Sequence, residues 1–174
     1  VVANISPFLF HDDPKFGTAQ SNNYLIKKAN GSTLSGWHDY WYFVGGAGTG
    51  SLSWIDFSKT TARNWWAGQH SSFIGLGLDG IWNDLNEPDE LGGAWPADVK
   101  YDYDGNPVNH EKTSTQFALL QTELSYDVLD TQYPNSRPFV VSRGGSAGIQ
   151  RFATLWSGDN HGDWTNDYKR NIPM

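Results

Sequence analysis

GIWNDLNEPDE, residues 80–90, closes a short apolar run with a tryptophan and then sets four acids into seven residues. Acids at the end of a buried strand cost solvation free energy, so their presence there points to a use. The run LDGIWNDL reads as a strand with Asp84 at its carboxyl end. Working outward, VVANISPF at the amino end reads as a strand closed by Pro7, RPFVVSR (137–143) as another, and FATLWSGDN (152–160) as a fourth. Between them, Ala62, Trp65, Trp66 and Phe73 recur at helical spacing behind a candidate N-cap at Ser58, and Phe117, Leu120, Leu124 and Val128 form a second stripe closed by Pro134. Residues 11–35 and 88–112, rich in polar residues, Gly and Pro, read as loops. Strand, helix, strand, helix, strand implies parallel strands joined by crossovers, an α/β fold.

In a parallel α/β barrel the carboxyl ends of the strands converge on one pocket. Asp84 and Asp159 are two such strand-end acids, with an intervening strand ending at Arg143. Carboxyl groups about 5 to 5.5 Å apart suit a retaining glycosidase, one as nucleophile and the other as proton donor. Two charges about 5 Å apart at an effective dielectric near 20 repel by roughly 3 kcal/mol, enough to keep one protonated while the other ionises. Read singly, Asp84 or Asp159 is ordinary turn chemistry, and Arg143 is a cation that pairs with an acid.

Composition narrows the classes. Nineteen acidic against twelve basic residues give a formal charge of −7 with no basic cluster, so nucleic acid is not an expected partner. No apolar run has the length of a membrane span, and without cysteine there are no disulfides or thiolate chemistry. The chain opens on Val1 without an initiator methionine, so preceding residues are expected and the compartment is left open. Nine Trp, eight Tyr and nine Phe serve cores and sugar stacking equally well; Trp65 and Trp66 are assigned to the core. DYDGN (102–106) fails as a calcium loop, because Pro107 and Thr113 stand where Gly and Glu are required, and is expected to be a surface turn. The histidines lack metal-ligand spacing, so neither metal nor cofactor is expected. Asn4-Ile-Ser6 matches a glycosylation tripeptide but falls in a buried strand.

Two blocks resemble glycoside hydrolase family 31. DGIWNDLNEP looks like its nucleophile signature, and RPFVVSRGGSAGIQRFATLWSGDN looks like its second block, where the acid/base aspartate follows Ser-Arg by sixteen residues. WIDFSKTTARNWW is a weaker echo of the helix leading into the nucleophile strand. The resemblance implies Asp84 as nucleophile and Asp159 as acid/base. It implies Trp82 and Trp156 lining the sugar subsite, Arg143 hydrogen-bonding sugar hydroxyls and Leu85 packing beneath the ring. It also implies a partial (β/α)8 TIM barrel, about strands 3 to 6 with their helices. Residues 1–174 would then be one segment of a larger catalytic domain, with an oligosaccharide or glycoside as substrate and the remainder of that domain as partner. A transglycosylase of the same family and a non-catalytic carbohydrate-binding protein stay as alternatives. SRGGSAG lacks the bulkier residue common after Ser-Arg, which leaves the sugar open.

Overall fold

Val2, Ile5, Ile81, Val140 and Val141 are residues that suit a pleated, packed surface, and each lies in a strand. The computed structural model describes residues 1–39, 49–88, 95–156, 158 and 164. Along the chain come β1 (Val2–Ile5), β2 (Phe8–Phe10), α1 (Phe16–Ser21), β3 (Gly36–Asp39), β4 (Thr49–Trp54), α2 (Thr60–Gln69) and α3 (Ser71–Ile74). Then follow β5 (Gly80–Asn83), the short pair β6 (Lys100–Tyr101) and β7 (Val108–Asn109), α4 (His110–Thr113), α5 (Gln116–Gln132) and β8 (Phe139–Ser142). A 3-10 turn at Ile149–Arg151 leads into β9 (Thr154–Leu155).

The four strands expected from the sequence form one parallel sheet in the order β1-β5-β8-β9. Parallel neighbours need crossovers, and α2, α3 and α5 supply them. Register sets Asn4, Trp82, Val141 and Thr154 in one row across the sheet, and Ile5, Asn83, Ser142 and Leu155 in the next row on the opposite face. Helix α5 packs on the second face, where Ile81, Asn83, Val140 and Ser142 are buried. Among the described residues the first face is left largely uncovered: Val2 is 46 %, Trp82 36 % and Phe139 50 % exposed. Gly80 allows Phe139 to lie across its strand, since a Cβ there would come within 2.7 Å of the Phe139 ring and carbonyl.

Most of the aromatic excess is core. Trp54 meets Trp95 edge-on with centroids 4.8 Å apart, and Phe57 meets Phe117 at 5.3 Å. Full burial of Phe57 and of Phe117 contributes roughly 1.5–3 kcal/mol each. Trp66 is buried in the same cluster, and Trp65, half-buried, packs on Tyr24. A smaller cluster of Ile74, Leu78, Ile81, Leu129 and Val140 fills the space between the sheet and the helices.

Three expectations change. The helix behind Ser58 starts at Thr60 and breaks at His70, and Ser58 is not its cap. The Ser58 hydroxyl instead donates to the buried Asp56 carboxylate (2.6 Å) and accepts from the Tyr103 N–H (3.0 Å). The cap comes from the DYDGN turn: Asp104 accepts from the Thr60 N–H (2.8 Å) and hydroxyl (2.6 Å). Loop 88–112 thus carries a hairpin, β6–β7, bolted to α2, with Asp56 accepting the Asp102 N–H (2.8 Å) and Lys59 pairing with Asp102 (3.1 Å). Residues 11–35 contain α1, and β2, β4 and β3 form a separate antiparallel sheet that the sequence did not announce.

Candidate active site

Strand β5 ends at Asn83, and the next residue continues its ladder, the Asp84 N–H donating to the Ile5 carbonyl of β1 (3.2 Å). Leu85 then takes φ +54°, a left-handed conformation uncommon for a branched side chain. That bend turns the chain back, and the Leu85 N–H donates to Asp84 Oδ1 (2.9 Å). On the neighbouring strand, the Arg143 N–H donates to the Asn83 carbonyl (3.0 Å), so Asp84 and Arg143 leave the sheet at the same level. Their side chains meet, with Arg143 Nη1 3.5 Å from Asp84 Oδ1. Arg143 Nε faces both Glu87 oxygens at 3.1 Å each. The guanidinium is 5 % exposed and the Asp84 carboxylate 16 %, so the cation is nearly dry while the acid keeps an opening.

Asp84 Oδ2 has its own partner. Asn4, on β1, donates from Nδ2 to it at 3.1 Å. Local reading does not reach this contact: in the sequence Asn4 stands out only as part of a glycosylation tripeptide, and its meeting with Asp84 depends on the β1–β5 register. The one available signal was a polar residue of opposite parity to Ala3 and Ile5 in an apolar strand.

Beneath these residues lies a buried polar lattice. Asn86 donates from Nδ2 to Ser142 Oγ (2.9 Å) and accepts at Oδ1 from the Gly144 N–H (2.6 Å), tying the loop after β5 to the end of β8. Thr122 Oγ1 donates to Ser142 Oγ (3.2 Å), which donates to the Gly144 carbonyl (2.7 Å). A Cβ on Gly144 would stand 2.9 Å from Asn86 Oδ1 and 3.0 Å from the Ala118 Cβ. The missing bulk in SRGGSAG is therefore a fit to Asn86.

Trp82 and Trp156 meet edge-to-face with centroids 5.3 Å apart, at the end of the sheet that carries Asp84. Leu85 is half-buried against the larger core cluster. Asp159 lies outside the described residues, and with it the separation of the two acids. Gly158, directly before it, is described: a Cβ there would lie 3.7 Å from Arg143 Cδ. Among the described residues no group of three or more His, Asp or Glu side chains could hold a metal ion, and no helix is long and apolar enough to cross a membrane.

The whole of residues 1–174 matches the model of the glycosyl hydrolases family 31 TIM-barrel domain. The chain belongs to glycosyl hydrolase family 31. This family 31 chain is 33 % identical over 168 residues to alpha-glucosidase 2 of Bacillus thermoamyloliquefaciens, a match covering 94 % of this chain and 20 % of the relative. It is 33 % identical over 154 residues to an alpha-glucosidase of Saccharolobus solfataricus, covering 76 % and 22 % respectively. A crystal structure of the glucosidase II alpha subunit superposes with a TM-score of 0.75 at 29 % identity, covering 94 % of this chain and 17 % of that one. The chain thus spans about a fifth of the length of these relatives. Its four-stranded parallel sheet with helices on one face is a partial TIM barrel.

Proposed function

We propose that this family 31 segment carries the reacting centre of an α-glycosidase that removes non-reducing terminal α-linked sugars by double displacement with net retention. The observation that carries the reading is the setting of Asp84. It stands at the carboxyl end of a barrel strand, fixed by a backbone N–H and a neighbouring amide and set beside a nearly dry guanidinium. Its carboxylate stays partly exposed, and the indoles of Trp82 and Trp156 meet near the same end of the sheet. Asp84 is the nucleophile and Asp159 the acid/base. Asp84 attacks the anomeric carbon as Asp159 gives its proton to the departing oxygen, so one C–O bond forms while another breaks. Water then attacks the glycosyl ester and passes a proton to Asp159, and the Asp84 carboxylate leaves. Trp82 and Trp156 line the sugar subsite, Leu85 packs beneath the ring, and Arg143 serves the sugar hydroxyls while Glu87 orients it. The relatives named alpha-glucosidases favour an α-glucoside as substrate.

The remainder of the catalytic domain closes the barrel around this segment. Two features support that: the exposed apolar face of the sheet, and the side of β1 that pairs with no strand among the described residues. Beside β1 is a cavity of about 370 Å³ lined by Asn4, Ser6, Trp66 and His70 among others. There Ser6 Oγ and His70 Nε2 are buried and have no hydrogen-bond partner among the described residues.

The test uses the complete protein on aryl α-glucoside, α-galactoside, α-xyloside and N-acetyl-α-galactosaminide. Turnover of the α-glucoside with retention, and its loss in Asp84→Ala, is expected. Unchanged turnover in Asp84→Ala ends the nucleophile assignment, and binding without turnover of any member favours a carbohydrate-binding protein.

A further inference from the structure

The two oxygens of Asp84 are not equivalent. Oδ1 accepts the Leu85 N–H at 2.9 Å and lies 3.5 Å from Arg143 Nη1, so a backbone donor and a cation both hold it. Among the described residues Oδ2 meets one neutral donor, the Asn4 amide, at 3.1 Å. Asn4 stands beside Trp82 in register, on the exposed face of the sheet. We infer that Oδ2 is the oxygen that bonds to the anomeric carbon, and that Asn4 is a positioning residue which steadies Oδ2 as a carboxylate oxygen and is released when it becomes an ester oxygen. This deepens the proposed function and rests on it.

The physical basis is the difference between the two acceptors. A carboxylate oxygen takes a strong, charge-assisted hydrogen bond, whereas the alkyl-bearing oxygen of an ester is a weak acceptor. Oδ1, still carbonyl-like in the ester, keeps the Leu85 N–H through both steps. Oδ2 loses its charge when its lone pair forms the bond to carbon, and the Asn4 contact weakens with it. In the second step water oxygen attacks that carbon, the bonding pair returns to Oδ2, and the Asn4 contact is regained. Asn4 therefore favours the free carboxylate over the glycosyl ester. Its removal leaves formation of the ester little changed but slows its hydrolysis, in which Oδ2 must take back charge without its donor.

A side chain with only a structural part would not divide the steps in this way. In the complete protein, Asn4→Ala with a 4-nitrophenyl α-glycoside is expected to lower kcat on the order of fivefold, lower KM with it, and leave kcat/KM near wild type. A pre-steady-state burst of nitrophenol approaching one per active site should accompany the change, because the ester accumulates. Asn4→Asp keeps the shape but replaces the donor with a like charge, and should lower kcat and kcat/KM together and further. Thermal melts of both variants, run alongside the kinetics, separate a change in rate from a loss of fold. If Asn4→Ala lowers kcat and kcat/KM in parallel without a burst, or changes neither, the role of Asn4 is overturned. Asp84→Asn run alongside separates the two questions. An inactive Asp84→Asn with an unaffected Asn4→Ala removes only the positioning role, and an active Asp84→Asn removes the nucleophile assignment itself.

Discussion

At Asp84 the backbone shapes the site as much as the side chains do. The residue type and its place at a strand end were legible in the WNDLNEP pattern, and so was the neighbouring strand end at Arg143. The left-handed Leu85, which folds the next N–H onto the carboxylate, was not, because nothing in a leucine announces φ +54°. Arg143 shows one of the two uses foreseen for it, pairing with acids: Glu87 and Asp84 both meet its guanidinium. The glycine after it is the sharpest test of the lattice below. Gly144→Ala must push its methyl against Asn86 Oδ1 and Ala118, neither of which has room to give in a buried layer. We expect a loss of about 1–3 kcal/mol in stability, read as a lowered urea midpoint at unchanged slope. A loss of turnover should follow as the loop after β5 parts from β8.

Among the elements, the hairpin β6–β7 shows where local reading stops. DYDGN was correctly a turn, but its purpose lies about forty residues upstream, where Asp104 takes the place of a missing cap on α2. The two acids of this joint titrate in opposite senses. Burial pushes the Asp56 carboxyl above its ordinary 3.8, and the Ser58 and Asp102 donors only partly offset it. The Thr60 hydroxyl and N–H hold Asp104 below that value. A raised folded pKa contributes stability that is complete below the unfolded value and fades as pH climbs through the folded one; a lowered pKa contributes above the unfolded value and fades as pH falls. The stability gap between wild type and Asp56→Asn should therefore narrow as pH rises upward from 3.8, while the gap to Asp104→Asn should widen over the acid range. Thermal melts of the complete protein across that range check both signs.

For the whole molecule, the parallel sheet was readable because each strand is a short apolar run bounded by turn residues and separated from the next by helical spacing. The β2–β4–β3 sheet was not, because Thr49–Trp54 includes Gly50, Ser51 and Ser53, poor strand formers that pair only because Leu52 and Trp54 are buried opposite Phe8 and Phe10. The exposed face of the parallel sheet carries the remaining expectation. Residues 1–174 expressed alone should bind a hydrophobic dye such as ANS and melt without cooperativity, because Val2, Trp82 and Phe139 stay largely exposed among the described residues. A sharp two-state transition with no dye binding would mean the segment stands by itself. Asn4, Asp84 and Arg143 come from three adjacent strands of a single sheet, so their spacing is inherited from ladder hydrogen bonds and not from where a ring of strands happens to be sealed. Circular permutants whose new ends fall outside this span should keep the triplet in place.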